Sequence, residues 1–401
     1  MQKTKIRILH LRSSPFLGSP EKIILEQLKH LPGYCEYHVG VFDEQIGGSN
    51  DFITALRKHC RVYPLRDGLA NFPPAVLEIN RILRDSQIDV ICSHDYKSNV
   101  ASFIATWRQP VPRVAVFHGR TSTTRRMRLY ERLDDTILTR FDAIVAVSQS
   151  QRQRLISLGI TPERIHVIPN AVDVQAYLPS KQANPHSSLC LPATSRVVVY
   201  SGRLSREKGV YTLLEAARRV LAAIPDARFL LLGRGPEENG IRRQIAAAGL
   251  TDKIILPGYV SDVYSVYRSM DVFVLPSIRE GMPLALLEAL ASKKPVIATN
   301  VGGVPEILTH DATGILIEPG KADCLAHAIL DLLSNPAKAE RLAAAGFHRV
   351  RSEFGVDDHV RLYVQLFSSL ASCSSREENN AGRDLDNMGK AQAHSRVVPR
   401  S

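Results

Sequence analysis

Short β-branched runs that alternate with stretches of helical period restrict this chain more than any other feature. IRILHL (6–11), YHVGVF (37–42), VICSH (90–94), RVAVFH (113–118), AIVAVS (143–148) and IHVIPN (165–170) read as strands. Between them, segments such as EKIILEQLKHL and AVLEINRILRDS carry apolar residues at helical spacing. Strand and helix in turn imply parallel pairing, because parallel neighbours need a long crossover, and the crossover helices then cover the sheet. A second series follows: RVVVYSG, ARFLLLG, KIILPG, DVFVLP, PVIATN and GILIEP. The two are separated by PSKQANPHSSLCLPATS, residues 179–195, which is polar, aperiodic and rich in Pro and Ser, so it reads as a linker. The expectation is an α/β chain of two doubly wound domains facing across a cleft, residues 1–178 and 196–346. A helical segment, 347–370, should pack back towards the first domain. The polar, aperiodic stretch 371–401 should be a disordered tail.

Composition agrees with two domains. The chain has 401 residues, 44% hydrophobic and 23% charged, which is too long for one ordinary core and too apolar for disorder. A formal charge of +11 points to acidic partners, nucleotides or anionic lipid. Nucleic acid fits less well, because the basic residues are not interleaved with stacking aromatics and there is a single Trp. The six cysteines (Cys35, Cys60, Cys92, Cys190, Cys324, Cys373) show no CxxC or metal-ligand spacing and read as reduced thiols of a cytoplasmic protein. The N-terminal MQKTKIRILHLRSS looks like a first strand rather than a signal peptide. No window reaches the roughly 18 apolar residues of a membrane span, so any membrane contact should be peripheral.

In doubly wound sheets ligands bind beyond the carboxyl ends of the strands. The residues that follow each strand are therefore the candidates. SGRLSREKG places Arg203 and Lys208 at a strand-to-helix turn, where two cations and free backbone amides suit a diphosphate. In DVFVLPSIREGMPLALLEAL, Glu280 lies in the turn, Pro283 suits the first helical position, and Glu288 falls in the second turn. Leu284, Leu287 and Ala291 should face the core. Carboxylates beside an anion site are costly unless a polyol needs acceptors, and a sugar nucleotide brings polyol and anion together.

The ordered set SGRLSREKGVYTLLEAA, LLGRGPEENGIRRQ, ILPGYVSDV, EGMPLALLE and ATNVGGVPEIL resembles the retaining glycosyltransferases of family 4, or group 1. FLGSPEKIILEQL, AVSQSQRQRL and IPNAVD extend the likeness through the first half, to about residues 5–370. The resemblance implies the GT-B fold and metal-independent, retaining transfer from a nucleoside diphosphate sugar. It implies that Glu280 contacts the donor sugar and Glu288 the ribose. Arg203 and Lys208, following Gly202, would neutralise the diphosphate. Gly281, Met282 and Leu284 would offer backbone amides, and Gly18 would approach the diphosphate from the first domain. His118 would sit at the reaction centre. The family commonly has two glycines where this chain has Gly18-Ser19, so Ser19 is expected to carry backbone strain. His94, also following a strand, is expected to be structural or on the acceptor side.

The setting implied is surface polysaccharide or glycolipid synthesis on the inner membrane face, with a saccharide or lipid-linked acceptor. The run GRTSTTRRMRLYERL after His118 carries Arg120, Arg125, Arg126, Arg128 and Arg132. It is either a solvated helix face or a dock for anionic lipid. Two other functions remain open at this level: a sugar-nucleotide epimerase of the same architecture, and a non-catalytic sugar-nucleotide-binding subunit. No cofactor and no metal is expected, since no DxD turn or His/Cys cluster is visible in the sequence.

Overall fold

A computed structural model of the chain describes residues 5–13, 17–43, 50–66, 68, 71–120, 125–178, 195–260 and 262–372, without the side chains of 125–128. The strands are β1 (Ile6–Ser13), β2 (Cys35–Asp43), β3 (Arg61–Arg66), β4 (Val90–Ser93), β5 (Arg113–Phe117), β6 (Ala143–Ala146) and β7 (Ile165–Val167). After the linker come β8 (Arg196–Ser201), β9 (Ala227–Leu232), β10 (Ile254–Gly258), β11 (Val272–Leu275), β12 (Val296–Thr299) and β13 (Ile315–Ile317). They form two parallel sheets, ordered β3-β2-β1-β4-β5-β6-β7 and β10-β9-β8-β11-β12-β13. Two Rossmann-like domains of this kind constitute the GT-B architecture. Val197, Val198, Val199 and Tyr200 are fully buried in succession, as expected of a strand with helices against both faces.

In each sheet the winding direction reverses once, between β1 and β4 and between β8 and β11. The crevice at such a reversal is where the carboxyl ends of neighbouring strands diverge. It lies at the carboxyl ends of β1 and β4 in one domain, and of β8 and β11 in the other.

The structure has one more strand than the alternation reveals. β3 contains Pro64 and lies at a sheet edge, where a missing amide hydrogen costs no ladder bond on the open side. At the C-terminus one helix spans Pro336–Glu353, the chain turns at Phe354–Gly355, and a last helix runs from 356 to 372. This last helix crosses to the first domain. The His359 ring meets the Pro169 carbonyl at 2.6 Å and the Gln27 amide at 2.9 Å, and Phe367 packs edge-on to Tyr37 and His10. Residues 371 and 372, expected in the tail, continue that helix. The rest of the expected tail, and residues 179–194 of the linker, lie outside the described residues.

Candidate active site between the two sheets

The turn after β11 is built around Glu280. Lys208 Nζ donates to both of its oxygens, at 2.7 and 2.9 Å, and Ser277 Oγ donates at 2.7 Å. Lys208 closes a 3-10 turn, Arg206–Lys208, and the following Gly209 (φ 66°) caps the helix Val210–Ala223. A Cβ at Gly209 would lie 1.9 Å from the Pro276 carbonyl oxygen, so glycine lets the two turns touch and brings Lys208 to Glu280. Arg203 is exposed at the end of β8, and its carbonyl accepts from Tyr200 Oη at 2.8 Å. The backbone at Gly202 is crossed by Gly233, where a Cβ would fall 2.1 Å from the Gly202 oxygen.

Glu288 sits on the helix Leu284–Ala291, which starts one residue later than expected, with Pro283 as its extended cap. Leu284, Leu287 and Ala291 are buried, as expected. Glu288 is 3% exposed. Its carboxylate accepts from Tyr267 Oη at 3.1 Å and from Lys22 Nζ of the first domain at 2.7 Å. Gly281 and Met282 form the corner between the two glutamates. The Gly281 carbonyl accepts from Gly303 N at 2.9 Å, and the Met282 carbonyl accepts from Asn170 of the first domain at 2.7 Å.

That corner meets His118. A Cβ at Gly281 would lie 2.1 Å from the His118 carbonyl oxygen, so the two domains touch backbone to backbone at this point. The His118 ring is half-buried and stacks on His94 at 5.8 Å. Burial, reinforced by the Arg12 guanidinium, lowers the imidazole to about 3, so it stays neutral over the ordinary range. His94 lies beneath, hydrogen-bonded to His10 at 2.9 Å. His10, Cys92 and His94 place ligand-type atoms within 4.8 Å of one another, a His/Cys cluster invisible in the sequence. Arg12 lies against it and opposes any further positive charge, so the group is better described as a neutral, hydrogen-bonded layer under His118.

The glycine loop departs from expectation. Ser19 is the first residue of the helix Ser19–Lys29, is not among the positive-φ residues, and carries no strain. Gly18 is the extended cap, and its amide donates to Glu21 Oε2 at 2.9 Å. Glu21 is fully buried and paired with Arg12 at 2.6 Å, so the loop is fixed by charge.

The basic run also needs correction. Arg120 turns inward to Asp134 at 2.7 Å and to Asp135, so it is not offered to lipid. Arg125, Arg126 and Arg128 open the helix Arg125–Leu138, and their side chains lie outside the described residues. Residues the sequence reading missed join the halves. Glu306 accepts from the amides of Gln149 and Ser150 at 2.8 and 3.0 Å, and Gln151 approaches the Glu280 carbonyl at 3.5 Å.

Residues 21–176 match the family model described as Glycosyltransferase Family 4, and residues 182–349 match Glycosyl transferases group 1. A D-inositol 3-phosphate glycosyltransferase of Thermobispora bispora is 30% identical over 311 residues, 72% of each chain. The chain belongs to the group 1 glycosyltransferases. An Escherichia coli enzyme named UDP-Gal:alpha-D-GlcNAc-diphosphoundecaprenol alpha-1,3-galactosyltransferase is 26% identical to this glycosyltransferase over 82% of this chain and 88% of its own. Among solved structures, HepE of Anabaena in complex with UDP-glucose superposes on the glycosyltransferase with a TM-score of 0.81 at 24% identity. That match covers 91% of this chain and all of the other, and it speaks for the fold.

Proposed function

We propose that this glycosyltransferase moves a sugar, with retention and without a metal, from a nucleoside diphosphate sugar to a saccharide or lipid-linked acceptor in surface polysaccharide or glycolipid synthesis. The observation that carries this reading is the meeting of two crevices. Lys208 is held on Glu280 just ahead of the helix Leu284–Ala291, and the His118 backbone of the other domain meets Gly281 in the same turn. The named specificity of the Escherichia coli relative, for a UDP-sugar and a diphosphoundecaprenol acceptor, supports the donor and acceptor classes.

In this reading the bond between the anomeric carbon and the diphosphate oxygen breaks while the acceptor oxygen bonds to the same face. The acceptor proton passes to the departing phosphate oxygen. Charge builds on the diphosphate, where Arg203, Lys208 and the backbone amides around Gly281–Leu284 stabilise it. Such preorganised charge is often the largest catalytic contribution, and it takes the place of a cation. Glu280 accepts from sugar hydroxyls, Glu288 from the ribose, and Gly18 approaches from the first domain. Neutral His118 faces the reacting carbon as a hydrogen-bond partner. On the helix Arg125–Leu138, Leu129 (65% exposed) and Leu133 (52%) lie one turn apart beside exposed Arg132, a mixture suited to anionic lipid next to a lipid-linked acceptor.

The test is a thermal-shift screen of UDP- and GDP-sugars in the presence of EDTA, followed by turnover with the sugar that stabilises. A ligand at about 100 times its Kd adds about 2.7 kcal/mol. Arg203→Ala and Lys208→Ala should weaken that response, and the product should keep the donor's anomeric configuration. Inversion, a magnesium requirement, or conversion of the donor to an isomer without acceptor would each overturn the reading. Pelleting with vesicles that is indifferent to anionic lipid content would remove the membrane contact alone.

A further inference from the structure

Lys22 has no role in the assignments above, yet its ammonium sits on the carboxylate assigned to the ribose. The contact crosses from the first domain to the second, Lys22 Nζ to Glu288 Oε1 at 2.7 Å. Lys22 is hydrogen-bonded to Oε1 of that carboxylate and Tyr267 to Oε2. Glu288 is only 3% exposed, so a ribose diol that reaches it has to come in where one of these partners stands. Tyr267 is fully buried and held in place. Lys22 is the movable partner, with a side chain 29% exposed on a flexible stem.

An ammonium so placed cannot simply be released. Burial works against its charge, and Glu288 outweighs that effect and keeps Lys22 above its ordinary pKa. Once parted from Glu288 it needs another anion nearby. Lys22 lies in the first turn of the helix capped by Gly18, its amide donating to the Gly18 carbonyl at 3.0 Å, so it is carried by the loop assigned to the pyrophosphate. The anion that arrives together with the ribose is that pyrophosphate. We propose that Lys22 is a donor-positioning residue that exchanges partners, giving up Glu288 to the ribose hydroxyls and binding the pyrophosphate of the same donor molecule. This rests on the donor reading above.

The exchange has a signature that a merely structural lysine would not give. Without the ammonium, Glu288 is free for ribose, while the pyrophosphate loses a cation. In calorimetric titrations of Lys22→Met with UDP and uridine, and with GDP and guanosine, the nucleoside should bind as tightly as to the unaltered chain or up to about tenfold more tightly. The matching diphosphate should bind about tenfold or more weakly. Lys22→Arg should recover most of the diphosphate affinity. If Lys22→Met does not fold, Lys22→Gln, which still donates to Glu288 but has no charge, should lose diphosphate affinity and leave the nucleoside unchanged. Equal weakening of nucleoside and diphosphate, or no change in their ratio, overturns the exchange. If the unaltered chain binds neither diphosphate, the donor reading itself fails, and the two failures are told apart by that control.

Discussion

Acid should undo the first domain well before it protonates most carboxylates. Three histidines inside that domain or on its C-terminal strap are held neutral. Burial lowers His10 to about 3 and His359 to about 4, the latter opposed by its bond to the Pro169 carbonyl. Burial also takes His94 well below its usual value, and the neighbouring His10, His118 and Arg12 push the same way. In the unfolded chain each returns to about 6.5. The folded state therefore binds fewer protons. Its stability is complete above about pH 6.5 and declines as the pH drops towards the folded values. His10 and His359 each cost about 1.4 kcal/mol per unit below 6.5, so moving from pH 7 to pH 5 costs about 2 kcal/mol apiece and about 4 kcal/mol for the two, with His94 acting in the same direction. That approaches the whole stability of a marginal domain. Asp134 works in the opposite sense, since burial holds its carboxyl above the usual value.

Urea unfolding followed by circular dichroism at pH 7, 6 and 5 measures this directly. The expected slope near pH 5 corresponds to at least two protons taken up on unfolding, those of His10 and His359. His359→Gln should reduce it by one, with the intercept at pH 7 lowered by the lost bonds to Pro169 and Gln27. A total fall of under about 2 kcal/mol between pH 7 and pH 5 would refute the claim that these rings are buried and neutral.

Two further outcomes follow from the cleft. Gly281→Ala places a methyl where the His118 carbonyl stands, and a backbone atom cannot swing aside, so the domains must part. Since a misplacement of about 1 Å can cost about 100-fold in rate, kcat/KM should fall by that order while the urea midpoint stays near that of the unaltered chain; an active Gly281→Ala would show that closure at this point is not needed. Lys208→Ala should cost about 1–3 kcal/mol, because among the described residues it leaves the nearly buried Glu280 carboxylate with Ser277 alone. Adding Glu280→Gln should cost less than the sum of the two changes, and strict additivity in a double-mutant cycle would mean the pair is not coupled.

Sequence patterns carried the architecture because both sheets are built from local units. Every strand from β8 to β13 could be read as an apolar run, and in the first domain only β3 was missed, since Pro64 hides an edge strand. The turns holding Arg203, Lys208, Glu280 and Glu288 were legible for the same reason, each following its strand within a few residues. What stayed hidden are contacts between residues far apart in the chain. Lys22 and Glu288 are 266 positions apart, Gln149 and Glu306 157, and Asn170 and Met282 112. Periodicity carries no information about such pairs. Arg120 was misjudged for a related reason, because a basic run does not reveal that Asp134 and Asp135, a helix away, turn one of its members inward. Ser19 was misjudged because the expected glycine pair suggested a loop where the helix had already begun.

These contacts also change how the cleft should be understood electrostatically. A +11 chain could be expected to offer a diphosphate bare positive charge. Instead Arg12 is paired with Glu21 and Asp95, Lys22 with Glu288 and Lys208 with Glu280; Arg203 alone of these cations has no ion-pair partner among the described residues. A ligand that is only an anion could engage either lysine only by breaking a pair and stranding a nearly buried carboxylate, which is costly. A ligand that is only a polyol would strand the lysine. On the proposed function a sugar nucleotide would avoid both penalties, because its phosphates would take the lysines while its sugar and ribose hydroxyls would take Glu280 and Glu288. The two Lys–Glu pairs would then discriminate by demanding anion and polyol in one molecule at the right separation, against free pyrophosphate and free sugar.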